Sequence, residues 1–282
     1  MEKELREAIY ETIRKVREEN PTAPSITNTV TQDFVANAQL SVGGAAAMVY
    51  MPDEGETVAK NFPSFYINVG TVFPFYEESL PKTMKALHEN KKSWVLDPVG
   101  VGFGKLRTDL LKKAKDFKPS IIRGNASEIP ALAKLWKLTD APKSTRTHFI
   151  ETHEKVSDAK DSAVALAKYT GGAVAVSGEE DFIAGYFEDK LTSVVCPGGS
   201  SMLTKLTGAG CSLGGIMAVC AAVSSPFIAA LSATVIYNRA AESAEREAYA
   251  PASFKVKFLD ALYKLKPGDI AYNSTDDFKL DE

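Results

Sequence analysis

Short apolar runs alternate with longer amphipathic segments along most of this chain, and this rhythm restricts the fold more than any other feature. Several runs are apolar at every position rather than at every second one. That pattern is typical of strands covered on both faces, as in a mostly parallel sheet. We predict strands at 46–50, 65–69, 94–96, 120–122, 173–176, 182–186 and 192–195.

The segments between these runs have helical spacing of apolar residues. The chain also begins with an amphipathic helix whose apolar face carries Leu5, Ile9, Ile13 and Val16. The βαβα order predicts an α/β fold with helices on both faces of the sheet. Residues 182–195 differ, because two short strands there flank residues 187–190, and this predicts an antiparallel hairpin at the sheet edge. We predict the other helices at 31–41, 75–90, 106–116, 126–136, 157–170, 210–223 and 227–247.

Composition limits the class of protein. The chain has 282 residues, 45% of them hydrophobic, and a formal charge of −3, which lacks the basic excess of a nucleic-acid-binding protein. Three cysteines and three scattered histidines form no disulfide framework and no zinc motif. No linker composition divides the chain, so we predict one domain over residues 1–282, with the polar stretch 137–158 as an irregular excursion.

Two features bear on location. The N-terminus has no apolar core of signal-peptide length. Residues 213–237 are apolar, but they are rich in Ala, Ser and Gly and are interrupted by Pro226, which favours a pair of buried helices over a membrane span. We therefore expect a cytoplasmic protein without a membrane partner.

A glycine-rich turn leads into an apolar helix at residues 203–218. Gly208, Ala209 and Gly210 would let the backbone turn tightly and approach a ligand. The N–H groups and dipole of the following helix would make residues 208–211 an anion hole, suited to the charge that develops in phosphoryl transfer. A turn needed only for close helix packing explains the same residues equally well.

Cys211 falls in the first turn of that predicted helix. A helix N-terminus lowers the pKa of a thiol, so a partial thiolate that accepts the proton of a substrate hydroxyl is one interpretation. A small buried apolar residue is the other, and position alone favours it. Cys196 and Cys220 have no such setting, and we assign them to packing.

Polar residues follow three other predicted strands. Asp97 ends an apolar run and precedes a glycine-rich loop, where it could hold Mg²⁺ directly or through water, or simply form a turn. Asn125 and Glu128 have capping-box spacing, but Glu128 could also lie near metal-bound water and Arg123 near ATP phosphates. Ser177 ends another strand and could contact the nucleotide. Neither a Walker A nor a dinucleotide glycine motif occurs in the sequence.

Two residues near the N-terminus are candidates for binding a substrate. Asn28 lies among apolar residues, where a buried amide needs partners. Met48 offers a soft, polarizable surface for a flat heterocycle, although ordinary core packing is the commoner role.

In combination, these segments resemble the hydroxyethylthiazole kinases, which are ribokinase-like enzymes of thiamine salvage. The strings Arg-Gly-Asn-Ala-Ser-Glu-Ile at 123–129 and Thr-Gly-Ala-Gly-Cys at 207–211 are the most specific, and their order and spacing fit. The resemblance covers about residues 25–131 and 172–223. The other matching strings are Ser-Ile-Thr-Asn at 25–28, Phe-Val-Ala-Asn at 34–37, Asn-Val-Gly-Thr at 68–71 and Asp-Pro-Val-Gly at 97–100.

The resemblance implies a ribokinase-like αβα sandwich that uses ATP to phosphorylate the hydroxyethyl group of 4-methyl-5-(2-hydroxyethyl)thiazole. It implies a homotrimer with active sites between subunits, and it raises Cys211 from a packing residue to a catalytic one. The site residues that it implies are Met48 and Gly208 at the thiazole, Arg123 and Ser177 at ATP, and Asp97 and Glu128 near Mg²⁺.

The sequence departs from the family pattern at several positions. Ala23-Pro24 replace a usual His or Cys, Ala46 replaces a Pro, and Ser177 replaces a Thr while keeping the hydroxyl. Residues 137–148 do not match the family at all. Two alternatives therefore stay open, a ribokinase-like kinase of another small heterocyclic alcohol and a nucleotide-binding paralogue without catalysis.

Overall fold

A computed structural model describes residues 1–139, 155–272 and 276–281. The strands of these residues form one nine-stranded sheet. Their bounds are Thr22–Ile26 (β1), Ala45–Met48 (β2), Ser64–Asn68 (β3), Ser93–Asp97 (β4), Ile121–Asn125 (β5), Ala173–Ser177 (β6), Asp181–Phe187 (β7), Lys190–Cys196 (β8) and Lys279–Leu280 (β9).

Helices connect most of the strands and form the C-terminal part of the chain. The predicted amphipathic N-terminal helix is confirmed, and Leu5, Ile9, Ile13 and Val16 are all buried. The helices are Glu2–Glu19 (α1), Gln32–Val42 (α2), Pro52–Asn61 (α3), Tyr76–Glu89 (α4), Lys105–Ala114 (α5), Glu128–Leu135 (α6), Lys160–Thr170 (α7), Ala209–Ala221 (α8), Pro226–Glu247 (α9), Pro251–Lys264 (α10) and Pro267–Tyr272 (α11).

The strands lie in the order β2-β1-β3-β4-β5-β6-β7-β8-β9. The first six are parallel and the last three are antiparallel to their neighbours. The chain passes from β1 to β2 on one side and then returns to place β3 on the other side of β1. The loops after β1 and β3 therefore diverge, and such a switch point opens a crevice at the carboxyl ends of the strands.

Each face of the sheet has its own hydrophobic core. Alternate strand residues such as Tyr66 and Val95 pack with side chains of α1, α2 and α8–α11. Their neighbours Phe65 and Trp94 pack with α3–α7 on the opposite face. The sheet is thus covered on both sides, and the predicted three-layer αβα sandwich is confirmed.

The hairpin predicted at residues 182–195 is present as β7 and β8. Its two-residue turn consists of Glu188 and Asp189, with φ of 48° and 63°, as the right-handed twist of a tight hairpin favours. It is not the outermost element, however, because β9 pairs with β8 and Asp281 forms an ion pair with Lys160. The prediction of an antiparallel hairpin at this end of the sheet is therefore confirmed, with one further short antiparallel strand beyond it.

Five of the strands and helices were not predicted: β1, β9, α3, α10 and α11. Strand β1 contains Pro24, whose missing N–H normally argues against a strand inside a sheet. Among the described residues, no helix is both long and apolar enough to span a membrane, and residues 213–237 divide between α8 and α9. Most of the unmatched stretch 137–158 lies outside the described residues.

Candidate active site

Alternation along the parallel strands brings polar side chains to one face of the sheet, at its carboxyl edge. Asn68 and Asp97 are the last residues of β3 and β4 and are register partners. Ser177 is the last residue of β6 and pairs with Asn125, two residues after Arg123 in β5. Because alternate residues share a face, this set lies beneath the helix layer that contains α8.

Asp97 lies at the centre of the cluster and is fully buried. Its Oδ2 atom accepts hydrogen bonds from the Tyr66 hydroxyl at 2.8 Å and from Asn68 Nδ2 at 3.0 Å, and it lies 3.5 Å from the guanidinium of Arg123. Burial raises the pKa of this carboxyl, and the charge of Arg123 opposes that rise. The second oxygen, Oδ1, has no hydrogen-bond partner among the described residues.

Arg123 joins the strands to the first turn of α8. Its Nη2 atom donates to the Ser177 hydroxyl at 3.0 Å, so the two residues predicted to bind ATP are in contact. On its other side, a Cβ atom added to Gly210 would lie 2.6 Å from the Arg123 Cζ atom. A side chain at position 210 would thus collide with the Arg123 guanidinium. The sequence suggested instead that Gly210 serves a tight turn and the approach of a ligand.

The tight turn itself is at Gly208. Its φ is 91°, and an added Cβ would lie 2.7 Å from Thr31 Cγ2. Ala209 begins α8, and its carbonyl accepts a hydrogen bond from the Tyr237 hydroxyl at 2.6 Å. The first N–H groups of a helix have no partner within the helix, so the N-terminus of α8 next to Arg123 is suited to bind an anion.

Cys211 faces the same cluster from the first turn of α8. Its side chain is buried, and its Sγ atom accepts a hydrogen bond from Asn68 Nδ2 at 3.2 Å. Burial and then the charge of Asp97 raise the pKa of the thiol to about 12, against the opposing effects of Arg123, Thr31 and Asn68. Of the two interpretations of Cys211, the raised pKa contradicts the partial thiolate and agrees with the small buried residue.

Glu128 lies at the start of α6, where the predicted capping pattern is confirmed. Its Oε2 atom accepts from the N–H of Asn125 at 3.0 Å, and Asn125 Oδ1 accepts from the N–H of Glu128 at 2.9 Å. The Oε1 atom also accepts from the N–H of Gly100 at 3.4 Å. Burial and the nearby charge of Asp97 raise the pKa of Glu128.

Asp97 and Glu128 could supply oxygen ligands to a hard cation. Among the described residues the buried Oδ1 atom of Asp97 has no hydrogen-bond partner, and Glu128 is a second carboxylate nearby. Within the described ranges, no three His, Cys, Asp or Glu side chains form a metal-binding group. Mg²⁺ suits such a site, because it keeps several water and phosphate ligands and needs only one or two carboxylates.

Besides Gly208, two residues were predicted to bind the substrate, and each lies at or just beyond the carboxyl end of a strand. Asn28 follows β1, and its Oδ1 atom accepts from the Thr71 hydroxyl at 3.1 Å and from the N–H of Val30 at 3.0 Å. It thereby links the two loops that diverge at the switch point. Met48 ends β2 and is half-buried against the core. The structure does not bring Met48 into the Asp97 cluster.

Two residues of the cluster were missed by sequence reasoning. Tyr66 and Asn68 stand on one face of a strand whose five residues are all buried. Tyr66 was treated as part of an apolar run, and Asn68 contributed to the family resemblance without a role. The available signal was an amide two residues after a tyrosine in a buried strand, since buried polar groups need partners.

Comparisons with known proteins agree with this geometry. The sequence profile of the hydroxyethylthiazole kinase family matches residues 13–268. The chain is 46% identical to a hydroxyethylthiazole kinase of Bifidobacterium adolescentis, covering 95% of this chain and 93% of that one. It is 37% identical to one of Akkermansia muciniphila, with 95% of each chain covered.

A solved structure has the same fold throughout. The hydroxyethylthiazole kinase of Pyrococcus horikoshii superposes with a TM-score of 0.83 at 29% identity, covering 97% of this chain and 99% of that one. A pyridoxal kinase of Staphylococcus aureus, solved with AMP-PCP, has a TM-score of 0.56 at 15% identity, with 79% and 88% covered, which shows a shared fold alone. With family profile, sequence relatives and fold in agreement, the chain belongs to the hydroxyethylthiazole kinase family.

Proposed function

We propose that this protein transfers the γ-phosphoryl group of ATP to the hydroxyethyl group of 4-methyl-5-(2-hydroxyethyl)thiazole, in thiamine biosynthesis or salvage in the cytoplasm. One observation carries the proposal: Asp97, Arg123 and Ser177 meet Cys211 at the N-terminus of a helix. Anion-binding N–H groups, a guanidinium and a carboxylate at one point are the parts that phosphoryl transfer uses.

In this proposal, the nucleotide phosphates lie between Arg123, Ser177 and the first turn of α8. Arg123 supplies a planar set of donors to phosphate oxygens, and Ser177 already fixes one of its nitrogen atoms. The backbone at Gly208–Cys211 donates to the oxygens that gain charge as the bond to ADP breaks. Because Arg123 is buried, its charge is poorly screened and acts strongly there.

Cys211 is the catalytic residue that contacts the alcohol. As the alcohol oxygen forms its bond to phosphorus and ADP leaves, the hydroxyl proton passes to the Cys211 sulfur. The sulfur must be a thiolate to accept it, and Arg123, Thr31 and Asn68 favour that form. Since burial and Asp97 oppose it, the thiolate is scarce at neutral pH.

Mg²⁺ would be held by Asp97 and Glu128, directly or through water. When bound, it neutralises charge on the phosphate oxygens. Asp97 is held in place for this role by Tyr66 and Asn68, which bond to Oδ2, whereas Oδ1 has no partner in the described part of the chain.

The thiazole is proposed to bind in the crevice between the loops after β1 and β3, with Met48, Gly208 and Asn28 around it. Thr31 leaves no room for a side chain at position 208, so the backbone of Gly208 stays uncovered by a side chain of its own. Asn28 fixes the mouth of the crevice through Thr71.

We also propose a homotrimer whose active sites lie between subunits. Strand β2 is the outer strand beside the crevice, and exposed apolar side chains flank it, namely Leu40 at 53%, Tyr50 at 44% and Met51 at 59% exposure. Sedimentation should give three times 30.4 kDa, and Leu40→Lys with Met51→Lys should reduce it. Tyr249→Lys, at a side chain 98% exposed elsewhere, is the control and should leave the mass unchanged.

The test of function is an assay of the purified protein with Mg²⁺-ATP and the thiazole alcohol, with product mass and ADP release followed together. A phosphorylated thiazole supports the proposal. Efficient phosphorylation of another heterocyclic alcohol beside an inert thiazole would identify a kinase of different specificity. ATP binding without transfer to any alcohol would identify a paralogue that has lost catalysis.

A further inference from the structure

The side chain of Asn68 contacts both Asp97 and Cys211. Its side chain is buried, at 1% exposure. The Nδ2 atom lies 3.2 Å from Cys211 Sγ, 3.0 Å from Asp97 Oδ2 and 2.9 Å from the Tyr66 hydroxyl oxygen. One amide nitrogen thus contacts both the proposed proton acceptor and a proposed metal-binding carboxylate.

The orientation of this amide is fixed by the backbone. The N–H of Gly70 donates to Asn68 Oδ1 at 2.8 Å, so the acceptor end of the side chain is occupied. The donor end must then face Asp97 and Cys211. Rotation by 180° would place a carbonyl oxygen against a carboxylate and would leave the Gly70 N–H facing an amine, so one orientation is strongly preferred.

Tyr66 completes the arrangement from the same face of β3. Its hydroxyl proton is donated to Asp97 Oδ2 at 2.8 Å, and its oxygen lies 2.9 Å from Asn68 Nδ2, whose two protons point to Asp97 and Cys211. Tyr66 is held from above, because a Cβ atom on Gly214 of α8 would lie 2.6 Å from its ring. The Asn68 amide thus links Cys211, in the first turn of α8, to the carboxylate of Asp97 at the end of β4.

We infer that Asn68 is a positioning residue for phosphoryl transfer: its amide holds the Cys211 sulfur at a fixed place relative to Asp97. This rests on the proposed function and adds a residue to it. The reaction needs the alcohol oxygen, phosphorus and leaving oxygen in line, so a sulfur that drifts within its rotamer loses rate more than affinity. Nucleotide binding through Arg123 and Ser177 does not involve Asn68.

The experiment is a pair of double-mutant cycles on the assay above. Asn68→Ala should lower kcat by roughly 10- to 100-fold, with the KM for ATP changed less than about twofold. In a Cys211→Ala background, the same change should cost at least about fivefold less than in the wild type, since the sulfur that it positions is gone and only the loss of its bond to Asp97 is left. Tyr66→Phe is the matched comparison and should cost the same factor in both backgrounds, because it acts on Asp97.

Several outcomes would overturn the inference. One is an Asn68→Ala variant with wild-type kcat, and another is an equal loss in both backgrounds, which would mark a purely structural role. Asn68→Leu keeps the branched shape of the side chain without its polar atoms and gives the same test if the alanine variant does not fold, as thermal unfolding would show. A wild-type protein inactive on every alcohol refutes the proposed function instead, and the two failures are thereby distinguished.

Discussion

The guanidinium of Arg123 occupies the space that a side chain at Gly210 would fill, with 2.6 Å between the Arg123 Cζ atom and an added Cβ. Gly210 stands in the first turn of α8, where alanine would be the better helix former by about 1 kcal/mol. Gly210 therefore makes room for Arg123 and does not stabilise the helix.

Gly210→Ala should consequently disable the site without unfolding the protein. The methyl group would push Arg123 away from Ser177 and Asp97, so we expect the KM for ATP to rise and kcat/KM to fall by roughly 100-fold, about 2.7 kcal/mol. Gly268→Ala is the control, because an added Cβ there meets nothing within 4 Å. Thermal unfolding and steady-state kinetics of both variants check this, and an active Gly210→Ala would contradict it.

Cys211 should show its role in the pH dependence of the rate. With a thiol pKa of about 12, the thiolate fraction rises about tenfold per pH unit at neutral pH, and kcat should rise with it. Cys211→Asp should keep or raise activity at neutral pH and show a flatter profile than the wild type, since a carboxyl ordinarily ionises at about 3.9 and burial beside Asp97 raises its pKa from that much lower starting value.

Cys211→Ala should lose about 10²- to 10⁴-fold in kcat with little change in ATP binding. Cys220→Ala removes a buried thiol elsewhere in α8 and is the control. A Cys211→Ala variant as fast as the wild type would show that the sulfur takes no part in the reaction.

Much of this site follows from rules that operate on the sequence alone. Apolar strands ending in Asp97 and Ser177 predict polar groups at one edge of a parallel sheet, because carboxyl ends of parallel strands coincide. The glycines before Cys211 predict a helix N-terminus there. The strand predicted at 120–122 ends three residues too early, and so Arg123 was placed after the strand rather than inside it.

What the sequence could not indicate are relationships across the chain. Gly210 is needed because of Arg123, which lies 87 positions earlier in the chain (210 − 123). No local sequence pattern indicates this contact. The pKa of Cys211 was predicted in the wrong direction, because a helix N-terminus is visible in a sequence whereas burial beside Asp97 is not. Strand β1 was missed because a proline normally argues against a strand inside a sheet. Here Pro24 lies in such a strand, and tertiary packing outweighs the local preference.

Arg107 should control the shape of the crevice from outside it. From α5 its side chain donates to the carbonyls of Val69 at 2.7 Å, Gly70 at 3.1 Å and Phe103 at 2.9 Å, which ties together the loops after β3 and β4. In Arg107→Ala we expect the KM for the alcohol to rise about tenfold, or 1.4 kcal/mol, with the KM for ATP unchanged.

Lys105→Ala is the matched control for Arg107, since Lys105 lies on the same helix with its ion pair to Asp109 exposed. An equal effect of the two variants on the KM for the alcohol would refute this role for Arg107.

Cys220 should make stability depend on alkaline pH. Burial raises the pKa of its thiol from 9.0 to about 12, so the unfolded chain loses this proton at lower pH than the folded one. Its contribution is complete below pH 9 and is lost as the pH rises from 9 towards 12. The stability advantage of the wild type over Cys220→Ala should therefore shrink by about 1.4 kcal/mol per pH unit above 9.

Urea denaturation of both proteins under reducing conditions, at several pH values on either side of 9, measures this difference. A difference that stays constant above pH 9 would show that the thiol titrates alike in both states.

The two-residue strand β9 has a consequence for how copies of this chain can join. An uncovered β8 could receive the β2 edge of another copy, and because those two edges differ, each addition would leave the same pair of ends free. Contacts between unlike edges close into a ring where the rotations between copies close, and grow into a fibre where they do not. Lys279 and Leu280 pair with Val195 and Val194 of β8, and Asp281 forms an ion pair with Lys160, so a copy that approaches this end of the described sheet meets β9 first, whereas β2 is the open edge at the other end.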